Sequence, residues 1–165
     1  MQMFINISAF IFTFFFMELV AWWSHKNIMH GILWRLHSDH HIKTQKQTLE
    51  MNDLFALIFA LPSMVLLAIG FDKISSAPYF WVGLGILIYG VAYFFVHDIF
   101  IHQRIKIFRN ISNPYFMAMR KAHKIHHKKL VKDDCEYFGF LWVPRKFYQM
   151  EKSISNWEKK YHVRI

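Results

Sequence analysis

Long uncharged stretches separated by short polar ones dominate the first hundred positions. Met3 to Trp23 carries no Lys or Arg and one acid, Glu18. Leu54 to Phe71 is uncharged, broken only by Pro62 and Gly70, and Pro78 to Val96 is a third such run that ends at His97. A helix needs ~20 mostly apolar residues to cross a bilayer (range ~17–25), so this pattern predicts three spans, over about 3–23, 54–71 and 78–97. Buried helices of soluble proteins are also apolar, but three such runs in 165 residues leave no polar shell to cover them. Beyond His97 the pattern is mixed. Asn113-Pro114 reads as a helix start, with a helix over Tyr115 to His127. Tyr137 to Pro144 (YFGFLWVP) is apolar but too short to span, and is expected in the membrane interface or over a site. Phe147 to Tyr161 has helical spacing with charge on one side, which makes the tail 145–165 an amphipathic surface helix. The expected fold is an all-α membrane protein, one domain over 1–165, with three transmembrane helices and a cytoplasmic-side cap rich in histidine.

Charge orients the spans. Lys and Arg number twenty against eleven acids, for a net charge of +9. Nineteen of the twenty fall in 24–53 or after His97, and only Lys73 lies in the intervening turn 72–77. Basic residues concentrate on the cytoplasmic side, which places the N-terminus outside and both long polar regions inside. No Lys or Arg precedes Lys26, so the first run lacks the basic beginning of a signal peptide. The same distribution, together with anionic lipid headgroups, explains the charge without nucleic acid, and no RRM, KH or zinc-finger pattern is present. A single cysteine, Cys135, excludes an internal disulfide framework and reads as a bystander. Six Gly and four Pro argue against a turn-rich barrel.

Eleven histidines are the unusual entry in the composition. Ten of them form one pattern that occurs twice. His25-x4-His30 is followed by His37-x2-His40-His41, and His97-x4-His102 by His123-x2-His126-His127; only His162 is left over. In HxxHH the positions i, i+3 and i+4 share one helix face, so three imidazoles can converge on one metal or on a close pair. HxxxxH places its two residues ~140° apart on an α-helix, which suits ligands reaching one centre from opposite flanks, or serving two metals. Both sets fall at or beyond the inner ends of the spans and can meet beneath the bilayer. A lone histidine is usually a hydrogen-bonded core residue. Ten clustered imidazoles without a metal would desolvate poorly and repel when protonated, and they exceed what one ion uses. The expected ligands of a two-metal centre are therefore His25, His30, His37, His40, His41, His97, His102, His123, His126 and His127. Imidazole suits Zn, Fe, Cu and Ni alike, so this spacing leaves the metal open.

Carboxylates are the secondary candidates. Glu18 is an acid inside a span and two turns before His25, which suggests either that it supports the histidines from behind or that it makes a polar contact between helices. Asp98, beside His97, and Asp39, inside HSDHH, are placed to orient imidazole N–H groups. Asn52-Asp53, at the mouth of the second span, reads as a helix cap.

The stretches MELVAWWSHKNIMHGILWRLHSDHH, MNDLFALIFALP and WVGLGILIYGVAYFFVHDIFIHQR, with HKIHH and FGFLWVP after them, cover most of residues 17 to 144. In this order they resemble the fatty acid hydroxylase superfamily of membrane di-iron enzymes. MHGxLWRxHxxHH, NDLFA and YGxAYFxVHD narrow the likeness to its bacterial beta-carotene hydroxylases. The resemblance implies two iron ions held by the boxed histidines, O2 as cosubstrate, and hydroxylation of both beta-carotene rings at carbon 3, giving cryptoxanthin and then zeaxanthin. It also implies a bacterial inner membrane as the location, with the histidines facing the cytoplasm. Carbon 3 is not allylic, so its C–H bond is strong and calls for a metal-centred oxidant in a dry site. No flavin, nicotinamide or haem motif is visible, so electrons must come from a separate reductant, expected to be a ferredoxin, for which the basic inner surface offers a docking face. The rival readings are the same chemistry on a fatty acyl chain, a sterol or another carotenoid, including desaturation and ketolation, and a membrane metal transporter. Transport sites sit near the bilayer midplane, whereas these histidines lie at inner helix ends.

The charge distribution generates a first prediction. A reporter fused after Ile165 should be active on the cytoplasmic side; activity confined to the outer side would refute the assigned topology.

Overall fold

The computed structural model describes residues 1–42, 49–108, 110–130, 133–135 and 137–161. Among these residues six α-helices follow in order: α1 (Gln2–Ser24), α2 (Trp34–His41), α3 (Leu54–Gly70), α4 (Pro78–Phe94), α5 (Pro114–His127) and α6 (Arg145–Tyr161). No strand occurs among the described residues. α1 runs on into a π-helical segment, His25–Ile32, and α4 into another, Phe95–Ile101. Short 3₁₀ turns, Met51–Asp53 and Phe71–Lys73, flank α3. The continuous stretches Gln2–Ile32, Met51–Lys73 and Pro78–Ile101 are long and apolar enough to cross a membrane, at the three expected places. Two of them extend further than expected, because the π segments prolong the helices through the histidines.

α4 packs between α1 and α3. Helices in lipid gain little from hydrophobic burial against one another and associate through close packing and polar contacts. Both are present here. A Cβ on Gly85 would lie 2.8 Å from the Thr13 Cβ and 2.9 Å from the Phe10 carbonyl oxygen, so only glycine lets α1 come this near. On the other side of α4, Gly83 faces α3 equally closely, and the Ser63 hydroxyl donates to the Gly83 carbonyl at 2.8 Å. Asn6, fully buried, ties α1 to the α3–α4 turn by donating to the Ser75 carbonyl at 3.0 Å. Phe12, Phe15, Leu57, Leu61 and Val65 are exposed, as lipid-facing positions would be.

The rest of the chain folds against the histidine-bearing ends of these helices. Asn113 caps α5 by accepting from the Tyr115 amide at 2.9 Å, with Pro114 in the first turn, as the sequence predicts. The expected amphipathic helix is α6. Its Phe147 packs on Ala118 and Ala122 of α5 and on Tyr137, and Glu151 pairs with Lys121 at 2.8 Å. Part of its apolar stripe is therefore spent on α5. The end of the tail, with His162, lies outside the described residues.

The glycines of α4 give a contrast that can be measured. Gly85→Val should lower the thermal unfolding midpoint, since overpacking costs about 1–3 kcal/mol and the obstructing atom is backbone. Gly90→Ala should leave it unchanged or raise it, because nothing lies within 4 Å of a Cβ there. Equal midpoints for the two variants would contradict the close α1–α4 contact.

Candidate metal centre

The two π segments solve the spacing problem of HxxxxH. A π turn bonds i to i+5, so residues ~140° apart on an α-helix come to lie over one another. The His102 amide donates to the His97 carbonyl at 2.9 Å, closing such a ring between the two boxed residues, and Leu33 donates to Ile28 at 2.8 Å in the first segment. Each HxxxxH pair thereby serves a single cluster. The reading of two flanks, or of two metals per pair, is replaced by one face.

The HxxHH boxes do the opposite. Ligating atoms of His25, His30, His37, His41 and His126 all lie within 4.8 Å of one another, and so do those of His40, His97, His102 and His123. His127 joins the second group, with its Nε2 2.8 Å from that of His123. Each box sends its first and last histidine to one cluster and its middle one to the other. Two groups of five result, in contact where the His41 and His127 rings stack at 4.4 Å. Seven of the ten are no more than 8% exposed; His41, His102 and His127 are half-buried.

Partners on the far side of the rings decide what the near side can do. The His25 Nδ1 lies 3.0 Å from the Phe138 carbonyl oxygen and the His37 Nδ1 2.6 Å from the Asn52 side-chain oxygen. Oxygen acceptors require the proton on Nδ1, so both Nε2 atoms carry bare lone pairs, and these face each other at 3.1 Å. The second cluster repeats the arrangement. His40 donates to Glu50 at 2.6 Å and His97 to Asp98 at 3.2 Å, and their Nε2 atoms are again 3.1 Å apart. No hydrogen is left to bridge either pair. A metal ~2.1 Å from each nitrogen sets ligands at right angles ~3.0 Å apart, close to the spacing found. Each cluster thus has the donor set and the geometry to hold one ion.

Asp98 orients His97, as the sequence suggests. Glu50 and Asn52 were not among the sequence candidates for this role, and Arg104 went unnoticed. Its guanidinium reaches Glu50 at 3.0 Å, Asp53 at 2.8 Å and Asp98 at 2.9 Å, so one cation fixes both carboxylates that orient His40 and His97. Gln103, at φ 53°, turns the chain sharply after His102, and the Arg104 amide bonds back to the Asp98 carbonyl at 3.0 Å. Nothing in the spacing of a lone arginine announces this hub; the pairing of Glu50 with Asn52 just ahead of a span was the available signal.

Two carboxylates behave otherwise than expected. Asp39 accepts from the Met51 amide at 2.6 Å and orients no imidazole. Glu18 touches no boxed histidine in its hydrogen bonds. It accepts from the Tyr89 hydroxyl at 2.7 Å and from the amides of Phe140, Leu141 and Trp142 at 2.8, 2.9 and 3.3 Å. Four donors offset the cost of a buried carboxylate, and the effect is to strap residues 140–142 to α1. That strap is the apolar segment YFGFLWVP, which covers the site. Phe140 stacks on His25 with ring centroids 5.6 Å apart, and Phe138 packs edge-on against His25, His30 and His126. Trp34 packs on His30, His37 and His41. Cys135, buried against the Lys129 carbonyl at 3.4 Å, makes no bond to an imidazole. An apolar cavity of about 340 Å³, walled mainly by α3 and α4 with Met17 and Ala21 of α1, is also lined by His97, Asp98 and Phe140.

Comparison with known proteins follows from this geometry. Residues 10–144 match the family model described as fatty acid hydroxylase. A beta-carotene hydroxylase of Pantoea ananas is 41% identical over 129 residues, 78% of this chain and 71% of the relative. One from Pseudescherichia vulneris is 36% identical over 141 residues, 86% of this chain and 78% of the relative. A chloroplastic beta-carotene hydroxylase 1 of Capsicum annuum is 35% identical over 151 residues; that match takes 90% of this chain but 47% of the longer plant protein, so the chain spans about half of it. No solved structure matches the chain.

Outside the spans, burial favours the neutral form of His37, His40, His41 and His123. It lowers His37 to about 3, against the opposing Asn52 hydrogen bond, and lowers His41 to about 2, helped by the neighbouring His127 and His37. Burial also holds His40 and His123 well below the usual histidine value, with His97 and His102 adding to the effect. In the unfolded chain these groups take up protons near pH ~6.5, while the folded chain does not. Stability of the metal-free protein is therefore fully present above pH ~6.5 and lost as pH falls below it, down to the folded-state values. Thermal unfolding of chelator-stripped protein in detergent should show a midpoint several degrees lower at pH 5 than at pH 7.5. A midpoint constant across that range would contradict the buried, neutral state.

Proposed function

Because the chain belongs to the fatty acid hydroxylase family, we propose that it is an O2-dependent carotenoid hydroxylase whose ten boxed histidines hold two iron ions. The substrate in this reading is beta-carotene, hydroxylated at carbon 3 of each ring to cryptoxanthin and then zeaxanthin. The observation that carries the reading is the pair of five-imidazole clusters, each with bare nitrogens 3.1 Å apart, with His97 of the second cluster on the wall of an apolar cavity. Identities of 36% and 41% to bacterial proteins named beta-carotene hydroxylases support the choice of substrate. The chain is an integral membrane protein, and we assign it to a bacterial inner membrane with the histidines on the cytoplasmic side, on the bias of Lys and Arg.

Two irons, when bound, supply the strong oxidant that a non-allylic C–H bond needs, one oxygen atom of O2 going to the substrate and one to water. The protein supplies the rest. Asn52, Glu50, Asp98 and the Phe138 carbonyl keep the protons on Nδ1 and aim four imidazoles. Phe140 and Phe138 exclude water from the centre, and Glu18 holds them in place through the backbone of the strap. The largely apolar cavity wall delivers the ring to His97, and its two carboxylates, Asp53 and Asp98, are both paired with Arg104. Electrons arrive from an external carrier, which we take to be an acidic ferredoxin attracted by the basic cytoplasmic face.

Expression in a host that accumulates beta-carotene tests the whole reading. Cryptoxanthin should appear before zeaxanthin, each hydroxyl oxygen should derive from labelled O2, and purified protein should approach two irons per chain. His37→Ala and His123→Ala should abolish the conversion, and His162→Ala should not. Unchanged pigment alongside altered fatty acids or sterols would overturn the substrate; full activity of the His37 and His123 variants would overturn the metal centre.

A further inference from the structure

We propose that the cleft between α3 and α4 is a lateral entrance and binding slot for the polyene chain of the substrate, with Gly90, Ala56 and Ala60 setting its width. This rests on the hydroxylase reading and adds to it the route by which a lipid-borne rod reaches the centre.

α3 and α4 are not parallel partners along their whole length. They touch closely toward the turn that joins them, where a Cβ on Gly70 would meet the Phe80 Cβ at 2.7 Å and one on Gly83 the Leu66 Cβ at 2.9 Å. Two turns further along α4 the contact is gone: at Gly90 nothing lies within 4 Å of where a side chain would start. The helices diverge toward the histidines, and the cavity occupies the gap. Its rim is open to the outside of the bundle, since Ala56 and Gly90 are exposed on opposite sides of the gap and Val91 is 45% exposed. In a bilayer that opening faces acyl chains, not water. A substrate dissolved in the membrane can therefore enter sideways without crossing a polar surface.

The walls suit a stiff, flat, apolar occupant. Phe55, Phe59, Tyr93, Phe94 and Phe140 present aromatic faces, which pack well on a conjugated chain. Among the polar residues on the wall, Ser63 donates to the Gly83 carbonyl and Tyr89 to Glu18, Asn52 is held by His37, and Asp53 and Asp98 are held by Arg104. Their hydrogen bonds are spent within the protein, so they ask nothing of a hydrocarbon. Asn52 and Ser63, which bound the cavity along α3, are eleven residues apart, or roughly 16 Å at ~1.5 Å per residue. That is about half of the ~30 Å hydrocarbon thickness, the length of a C40 polyene. One ring and its half of the chain lie in the slot while the other half stays in lipid, so the molecule must leave and turn before its second ring is reached.

Filling the slot tests this. Gly90→Phe and Ala60→Phe place bulk in the cleft, and Ile88→Phe, on another face of α4 and 40% exposed, is the control. The readout is beta-carotene retained per chain by metal-free protein purified from a carotene-accumulating host, beside KM and kcat of the iron-loaded form. Gly90→Phe should retain roughly tenfold less carotene, as expected for steric loss of a packed site, with iron content and unfolding midpoint unchanged. Ala60→Phe should raise KM with little change in kcat, and Ile88→Phe should match the parent. If Gly90→Phe fails to load iron, Gly90→Leu takes its place. Parent-like retention and KM in both cleft variants would overturn the slot. If the parent instead retains an acyl lipid that the cleft variants lose, the slot stands and the carotenoid assignment falls.

Discussion

Two imidazole nitrogens with bare lone pairs do not rest 3.1 Å apart unless something positive lies between them. That repulsion, repeated in each cluster by His25 with His37 and by His40 with His97, is the constraint around which the inner half of the molecule is organised. The oxygen acceptors behind the rings take the Nδ1 protons, and burial disfavours a charged ring at His37 and His40. What is left is a pair of cages in which His25, His37, His40 and His97 already hold the ligating tautomer before any ion arrives. The cost of assembling them falls on the fold, which meets it with three spans held close by glycine contacts and with a carboxylate strap across the top.

Arg104 shows how that cost is distributed. Its ion pairs are with carboxylates: it reaches both Glu50 and Asp98, which orient His40 and His97, and Asp53 ties it to the start of α3. A single side chain thereby joins the end of the third span to the beginning of the second. Glu18 plays a corresponding part on the lipid side, joining the first span to the C-terminal strap and, through Tyr89, to α4. The two devices differ in sign but share a design: a charge too costly to bury alone is surrounded by enough partners to become a fixed point.

Spans and histidine boxes were legible because each rests on a strong periodic signal, some twenty apolar residues in one case and i, i+3, i+4 imidazoles in the other. The role of Asp98 was legible because it adjoins its histidine in the chain. The π turns were not, since no local pattern distinguishes HxxxxH on an α-helix from the same residues on a π-helix; only the need to bring both rings to one ion reveals it. Sharing of each HxxHH between two clusters was equally hidden, because it depends on how α2 and α5 face each other. Glu18 was singled out for the expense of an acid in a span, and of its two readings the polar contact between helices is the one found, through Tyr89 of α4; the amides of residues 140–142, which arrive from far away in sequence, were not foreseen.

The divided boxes carry a consequence for tolerance. Within α2, His37 and His41 serve one cluster and His40 the other, and α5 divides His123, His127 and His126 in the complementary way. The separation of the two sites is therefore measured out by neighbouring positions on a single helical turn, a ruler that hydrogen bonding makes stiff, and it is measured twice by two independent helices. Loops have no part in that measurement. Six residues separate the first pair of boxes and twenty the second, yet both deliver their rings to the same register, so connecting segments are free to lengthen or shorten while the distance that matters to shared chemistry stays constant.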